Sequence, residues 1–336
     1  MEVILYKSRG LSKSGEAIKF LYCGIKEGMT YIKHYIESGF INEMLEVIYE
    51  ETIDIDKVND SLLKNDCDLS IIALPKERVL TIKKEHDQLM PLRIHQIVRT
   101  ELGMNEIKKR MSKREVKRYE KLKSNFSFQV RHDNKSFFDF YKNMHKPTMN
   151  TRYGSFARSV NIDDAFNNLF KKGVLFYINQ NGKPVSGSIS QIDIEKNWLN
   201  ARLIGVLDGK DEYLANGAQN FVYHSIIDWA CNDGKIDVVD FQGCEPFLTK
   251  GTFQYKKRFA TEAILPPNFF YDKRVLLRFN KESMSVRNYL ISNPIITINN
   301  NDIFSATYFE DISNNAKLDI PYFMPGIDNH KIVKIL

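Results

Sequence analysis

Residues 240–260, DFQGCEPFLTKGTFQYKKRFA, hold a dense mixture of groups able to do chemistry. Asp240 closes the β-branched run IDVVDF and therefore ends a buried strand. A carboxylate there can orient an amine or take its proton through a water, or simply hydrogen-bond the glycine loop that follows. Lys256 stands among Lys250, Lys257 and Arg258. A cation at a sheet edge can stabilise a developing oxyanion or hold a phosphate. Surface charge is the alternative, and it is the reading taken for Lys257 and Arg258. Tyr255 and Lys256 read as neighbours in a strand-like run, so their side chains should face opposite ways. His224 and Asp228, one helical turn apart, read as an exposed pair.

A second group is electrostatic. Between Glu106 and Lys123 there are nine Lys/Arg and three Glu, a net charge equal to the +6 of the whole chain. The spacing predicts one basic helix over 105–123, with Ile107, Met111, Val116, Tyr119 and Leu122 as a narrow apolar seam. Such a helix is either a solvated face or a polyanion site, with Lys109, Lys113 and Lys117 as the contacts.

The elements that must position these groups are partly legible. Leu199, Ala201, Leu203, Gly205 and Leu207 alternate as a strand that ends at Asp208-Gly209. A helix follows over about 216–232, with Val222, Ile226, Trp229 and Ala230 at helical spacing and Gly234 as its stop. With IDVVDF this makes a βαβ unit, whose loops and helix N-terminus share one sheet edge. Upstream, VLFYIN and PVSGSISQID flank Asn181-Gly182, a hairpin signal. FFDFYKNMH reads as a helix halted by Pro147, with Arg152 in the loop beyond. Residues 1–100 read as α/β: helical spacing at 14–23 and 28–37 continuing through Met44–Tyr49, a helix over 56–64, and a strand from Asp68 to Pro75. Residues 266–336 carry no usable motif.

The totals narrow the class. A length of 336 residues suggests about two domains, and 43% hydrophobic with 27% charged residues is ordinary for a globular protein. No apolar run approaches the ~20 residues of a membrane span. MEVILYKSRG turns polar after five residues and does not read as a signal peptide, so a cytoplasmic protein is expected. Four scattered cysteines without a C-x-x-C pair, and seven histidines without H-E-x-x-H spacing, support neither a disulfide framework nor a metal site.

A helix ending WA-x-x-x-G, a strand ending Asp-Phe, a glycine and then KG-x-x-x-YKKRFA resembles the C-terminal signature of the FemAB-like acyltransferases, also called BioF2-like or acetyltransferase-6, of the GNAT superfamily. The family's last element commonly reads Phe-Lys-x-x-Phe-Gly, where this chain has Tyr255-Lys256-Lys257-Arg258-Phe259-Ala260. The likeness covers about residues 105–262. It implies an α/β, GNAT-like mixed sheet with flanking helices over 105–265. The N-terminal region 1–104 could be a degenerate copy of the same fold, making two GNAT-like halves, and 266–336 is an extension.

The resemblance also implies an activity: transfer of an acyl or aminoacyl group to an amine, in making a cell-envelope glycan, peptide or lipid precursor. Lys256 and Asp240 would be catalytic. Arg152 would grip the acceptor's phosphate or carboxylate, since a guanidinium forks two hydrogen bonds to an oxyanion. Tyr213, Tyr255 and Lys250 would line the substrate site. No cofactor is expected to stay bound; the donor would be aminoacyl-tRNA, acyl-CoA or an acyl group on a carrier protein. The Gln/Arg-x-x-Gly-x-Gly/Ala pyrophosphate loop of acetyl-CoA users has only Arg202-Leu-Ile-Gly205-Val-Leu207 as a near match, and that lies inside a strand. Two alternatives stay open: an acyl-CoA-dependent enzyme acting on a small metabolite, and a non-catalytic nucleic-acid-binding protein using segment 106–123.

Overall fold

The computed structural model describes residues 1–154 and 160–335, Tyr153 by its backbone alone. The chain is α/β, with mixed sheets and flanking helices. It forms two compact units that interleave along the sequence: residues 1–94, 243–255 and 263 onward make the first, and residues 95–242 and 256–262 the second. The compact units thus cut across the divisions at 104 and 265 drawn from chain order.

The first unit is built on a six-stranded sheet. In chain order its strands are β1 (Glu2–Leu11), β2 (Ala17–Gly24), β3 (Glu43–Asp54), β4 (Leu69–Pro75), β5 (Gln88–Pro91) and the later Lys273–Phe279, in spatial order β3, β1, β2, β4, Lys273–Phe279, β5. Two sequence readings fail here. Residues 17–24 are strand, because Ile18, Phe20 and Tyr22 alternate into the core; short apolar runs satisfy both periods, and sheet pairing decided. Met44–Tyr49 lies in an edge strand paired to β1. The motif-free tail is part of this unit: Lys273–Phe279 is an inner strand, and the Met284–Ser292 helix packs Tyr289 on Phe40, ring centroids 5.6 Å apart.

The second unit is organised by β6 (Ile94–Arg99), β7 (Ser127–Arg131), β8 (Gly173–Gln180), β9 (Lys183–Asp193), β10 (Trp198–Val206) and β11 (Val238–Cys244). Their order is β6, β11, β10, β9, β8, β7, with the short β12 (Glu262–Ile264) at the β6 edge. Strands β7 to β10 form an antiparallel meander, and the β8–β9 turn places Asn181 and Gly182 at φ of 51° and 76°, which an Asn-Gly pair adopts readily. The Ala218–Asn232 helix then crosses to β11, which lies parallel to β10.

Alternation sets the two faces of the sheet. Leu175, Tyr177, Ile189 and Leu203 pack on Phe137, Phe140 and Met144 on one side. Phe176, next to Leu175, meets Trp229 of the Ala218–Asn232 helix on the other. Each fully buried aromatic here contributes about 1.5–3 kcal/mol by leaving water. Pro147 does not halt the 137–145 helix. A π-turn at Tyr141–His145 leads into a further helix, Lys146–Tyr153, and Pro147 falls within its first two positions, where no helical N–H is needed. Gly205 lets β10 approach this turn: a Cβ there would meet the Met144 backbone at 2.5 Å. Among the described residues no helix is long and apolar enough to cross a membrane.

Candidate active site

Strands β10 and β11 pair over three residues, Trp198 with Val238, Leu199 with Val239 and Asn200 with Asp240, and then part. Beyond that point β10 continues to Val206 against β9, with Arg202 bulged out between Ala201 and Leu203. Pairing between these two parallel strands thus ends at Asp240, the apex of the parted pair.

Asp240 is 1% exposed, and both of its oxygens are engaged. Oδ1 accepts the Gln242 backbone N–H at 2.6 Å, and Oδ2 lies 2.7 Å from His95 Nδ1. A carboxylate only accepts, so His95 donates from Nδ1; in the neutral ring the lone pair is then on Nε2. Of the roles expected for Asp240, the hydrogen bond to the glycine loop is present, through the Gln242 N–H, while its other oxygen is taken by His95. His95 was missed in the sequence because it matches no motif. Its signal was a histidine inside the apolar run Ile94–Val98, where a polar side chain is buried and needs a partner. Gln242, at φ 64°, sends Nε2 to Asn200 Oδ1 at 3.3 Å, tying the two strands together just where they part.

Lys256 sits on a helix, Gly251–Lys257, and not on a strand. Successive side chains therefore lie about 100° apart, and the inward/outward alternation expected for Tyr255, Lys256 and Lys257 does not hold. Lys256 is buried, and its Nζ donates to Gln242 O at 2.9 Å. Lys256, Gln242, Asp240 and His95 thus form one connected group.

Lys257 is not the outward-facing control residue that a strand would make of it. It is half-buried, and burial lowers its ammonium to about 8. Competitive acylation with a limiting reagent should return an apparent pKa near 8 for Lys257, against about 10.4 for exposed lysines. Because the unfolded chain holds this proton more firmly, the Lys257 contribution to stability should rise with pH between about 8 and 10.5. Titration of Lys257 in the ordinary lysine range would remove both expectations.

Arg152 lies on the Lys146–Tyr153 helix rather than in a loop, and its Nη2 donates to Gln219 Oε1 at 2.8 Å. Tyr213 is half-buried on the Asp211–Ala215 helix of the same unit. Lys250 and Tyr255 belong to the other unit, where Lys250 pairs with Glu245 at 2.9 Å.

The basic segment is two helices, Gly103–Arg110 and Lys113–Lys123, broken at Met111-Ser112. Ser112 Oγ accepts the Glu115 N–H and starts the second helix. The seam is as expected, with Ile107, Met111, Tyr119 and Leu122 buried. Glu115, however, turns inward: it meets His224 Nε2 at 3.0 Å and accepts from Asn220 Nδ2 at 3.1 Å. His224 is 1% exposed and stacks on Tyr119 at 4.1 Å, so it is not half of an exposed pair with Asp228.

Lys109, Lys113 and Lys117 are exposed. Changing all three to glutamine should leave the melting temperature nearly unchanged, since exposed charges add little stability. If these helices hold a polyanion, RNA affinity should fall and the slope of log K against log salt should flatten by about 0.7–0.9 for each phosphate no longer neutralised. A salt titration by fluorescence anisotropy measures both, and an unchanged slope reduces the segment to a solvated face.

No family model matches the chain, and no curated protein sequence matches it. Solved structures resemble it at low identity. FemX is 10% identical over 81% of this chain and 88% of its own, with a TM-score of 0.43. L-PGS from Bacillus licheniformis is 11% identical over 83% of this chain and 86% of its own, TM-score 0.39. A GCN5-related N-acetyltransferase from Kribbella flavida is 10% identical over 77% and 80%, TM-score 0.30.

Proposed function

We propose that this protein transfers an acyl or aminoacyl group to an amine. The observation that carries the reading is the parallel strand pair that parts after three residue pairs, with the buried Asp240–His95 pair at its apex. The parted strands would receive the donor's carbonyl. His95, held by Asp240, would take the proton from the attacking amine at Nε2. Lys256 would fix the end of β11 through the Gln242 carbonyl and add positive charge where the tetrahedral oxyanion develops. The proton on His95 would then pass to the departing alcohol or thiol.

The donor would be aminoacyl-tRNA in preference to acyl-CoA or a carrier-bound acyl group. On β10, Ile204 O already accepts from His145 Nδ1 at 3.0 Å, and Val206 N–H donates to Thr148 Oγ1 at 2.9 Å. A pantetheine arm pairing with that backbone would have to displace both. The exposed Lys109, Lys113 and Lys117 supply a surface of the right sign for RNA. The acceptor would be an amine-bearing glycan, peptide or lipid precursor of the cell envelope, with Arg152 as its clamp.

The test is a panel of aminoacyl-tRNAs, acyl-CoAs and acylated carrier protein against candidate amines, read by mass spectrometry of the product. Lys256→Met should lower turnover roughly 10²–10³-fold, as loss of one oxyanion donor does. Salt-sensitive RNA binding that survives Lys256→Met, with no acyl transfer from any donor, would replace this reading by a non-catalytic nucleic-acid-binding one.

A further inference from the structure

We propose that Arg93 and Lys250, with Glu245 between them, form an oxyanion-binding site in the first unit, for the phosphate or carboxylate of a small ligand. All the residues concerned belong to that unit, and the inference does not rest on the acyl-transfer reading.

Arg93 lies in the short link between β5 and β6. A guanidinium carries five N–H donors and is normally well hydrogen-bonded when removed from water. The Arg93 side chain is 12% exposed, yet its nearest carboxylate oxygen, Glu245 Oε1, is 3.8 Å away, beyond hydrogen-bond reach. Among the described residues its Nη1 is buried and has no hydrogen-bond partner. Its close contact is the face of Tyr31, 4.0 Å from the ring centroid, which supports the cation without satisfying a donor.

Glu245 cannot neutralise both cations. Its Oε2 is held by Lys250 Nζ at 2.9 Å, and Lys250 in turn lies 4.0 Å over the Tyr35 ring. The Glu245 carboxyl is held below its usual range although burial pushes it up, because Lys250 and then Arg93 favour its charged form. Two cations therefore share one carboxylate, with 12%, 24% and 10% exposure for Arg93, Lys250 and Glu245. This leaves one positive charge, on the guanidinium whose Nη1 lacks an acceptor. A planar fork in that state suits an oxyanion with two oxygens to offer. The alternative is an arginine that serves as a packing plate on Tyr31; it predicts no anion affinity.

Isothermal titration of the full chain with inorganic phosphate, and separately with acetate, at ionic strength matched with sodium chloride, distinguishes these. The expected result is one site per chain. Arg93→Lys keeps the charge and loses the fork, and should weaken binding about 10-fold or more. Lys250→Met should weaken it as well, and Lys13→Met, an exposed lysine elsewhere in the unit, should not. Circular dichroism checks that each variant folds, and Lys250→Met carries the test should Arg93→Lys fail to. Binding of phosphate alone identifies a phosphate-bearing ligand, and binding of acetate alone a carboxylate. The proposal is overturned by no binding of either, or by wild-type binding in both Arg93→Lys and Lys250→Met, which would mean an adventitious ion only.

Discussion

Replacing His95 by glutamine is expected to lower turnover about 10²–10⁴-fold, the range a positioned acid–base group contributes, with a smaller change in KM. Glutamine keeps a hydrogen-bonding head group for Asp240 but cannot carry the amine's proton. Asp240→Asn should lose a similar amount for a different reason. An amide can donate as well as accept, so it can hold the imidazole in the tautomer whose Nε2 is already protonated. The measurement is single-turnover acyl transfer with and without added imidazole. A general base predicts that imidazole restores part of the rate lost in His95→Gln; a merely structural histidine predicts no rescue. Wild-type turnover in His95→Gln would exclude the imidazole as the base.

Replacing Glu115 by alanine is expected to destabilise the second unit by about 1–3 kcal/mol for each of the buried donors, on His224 and Asn220, that loses its acceptor. His224 and Asn220 would then face a cavity beneath the basic helices. The same cluster sets an acid limit to stability. Burial holds the His224 imidazole below its ordinary 6.5, in spite of Glu115. The Glu115 carboxyl lies below its ordinary 4.5, because hydrogen bonds from His224 and Asn220 outweigh the upward push of burial. Both groups bind protons more weakly in the folded chain. Their stabilisation is therefore complete above the ordinary values and is lost as pH falls, first below about 6.5 for His224 and then below about 4.5 for Glu115. Urea unfolding at several pH values checks this. A Glu115→Ala midpoint equal to wild type at neutral pH would mean that the cluster adds no net stability.

The sequence by itself determined the local elements of the second unit and the residue types at its apex. The Asn-Gly hairpin, the alternation of β10 and the periodic Ala218–Asn232 helix are each decided by neighbours a few positions apart and appear where the pattern put them; the β-branched run is also a strand, but it continues past Asp240 to Cys244. Periodicity could not separate strand from helix at residues 17–24 or 43–54, because short apolar runs fit both and pairing with β1 and β4 decided. Nor could it reveal that Lys256 rides a helix, that Glu115 leaves the basic face for His224, or that His95 meets Asp240. Those partners lie 14, 109 and 145 positions apart in the chain. Which buried polar group finds which acceptor follows from strand order and helix docking, and those are settled by burial of the whole apolar surface, not by any local spacing.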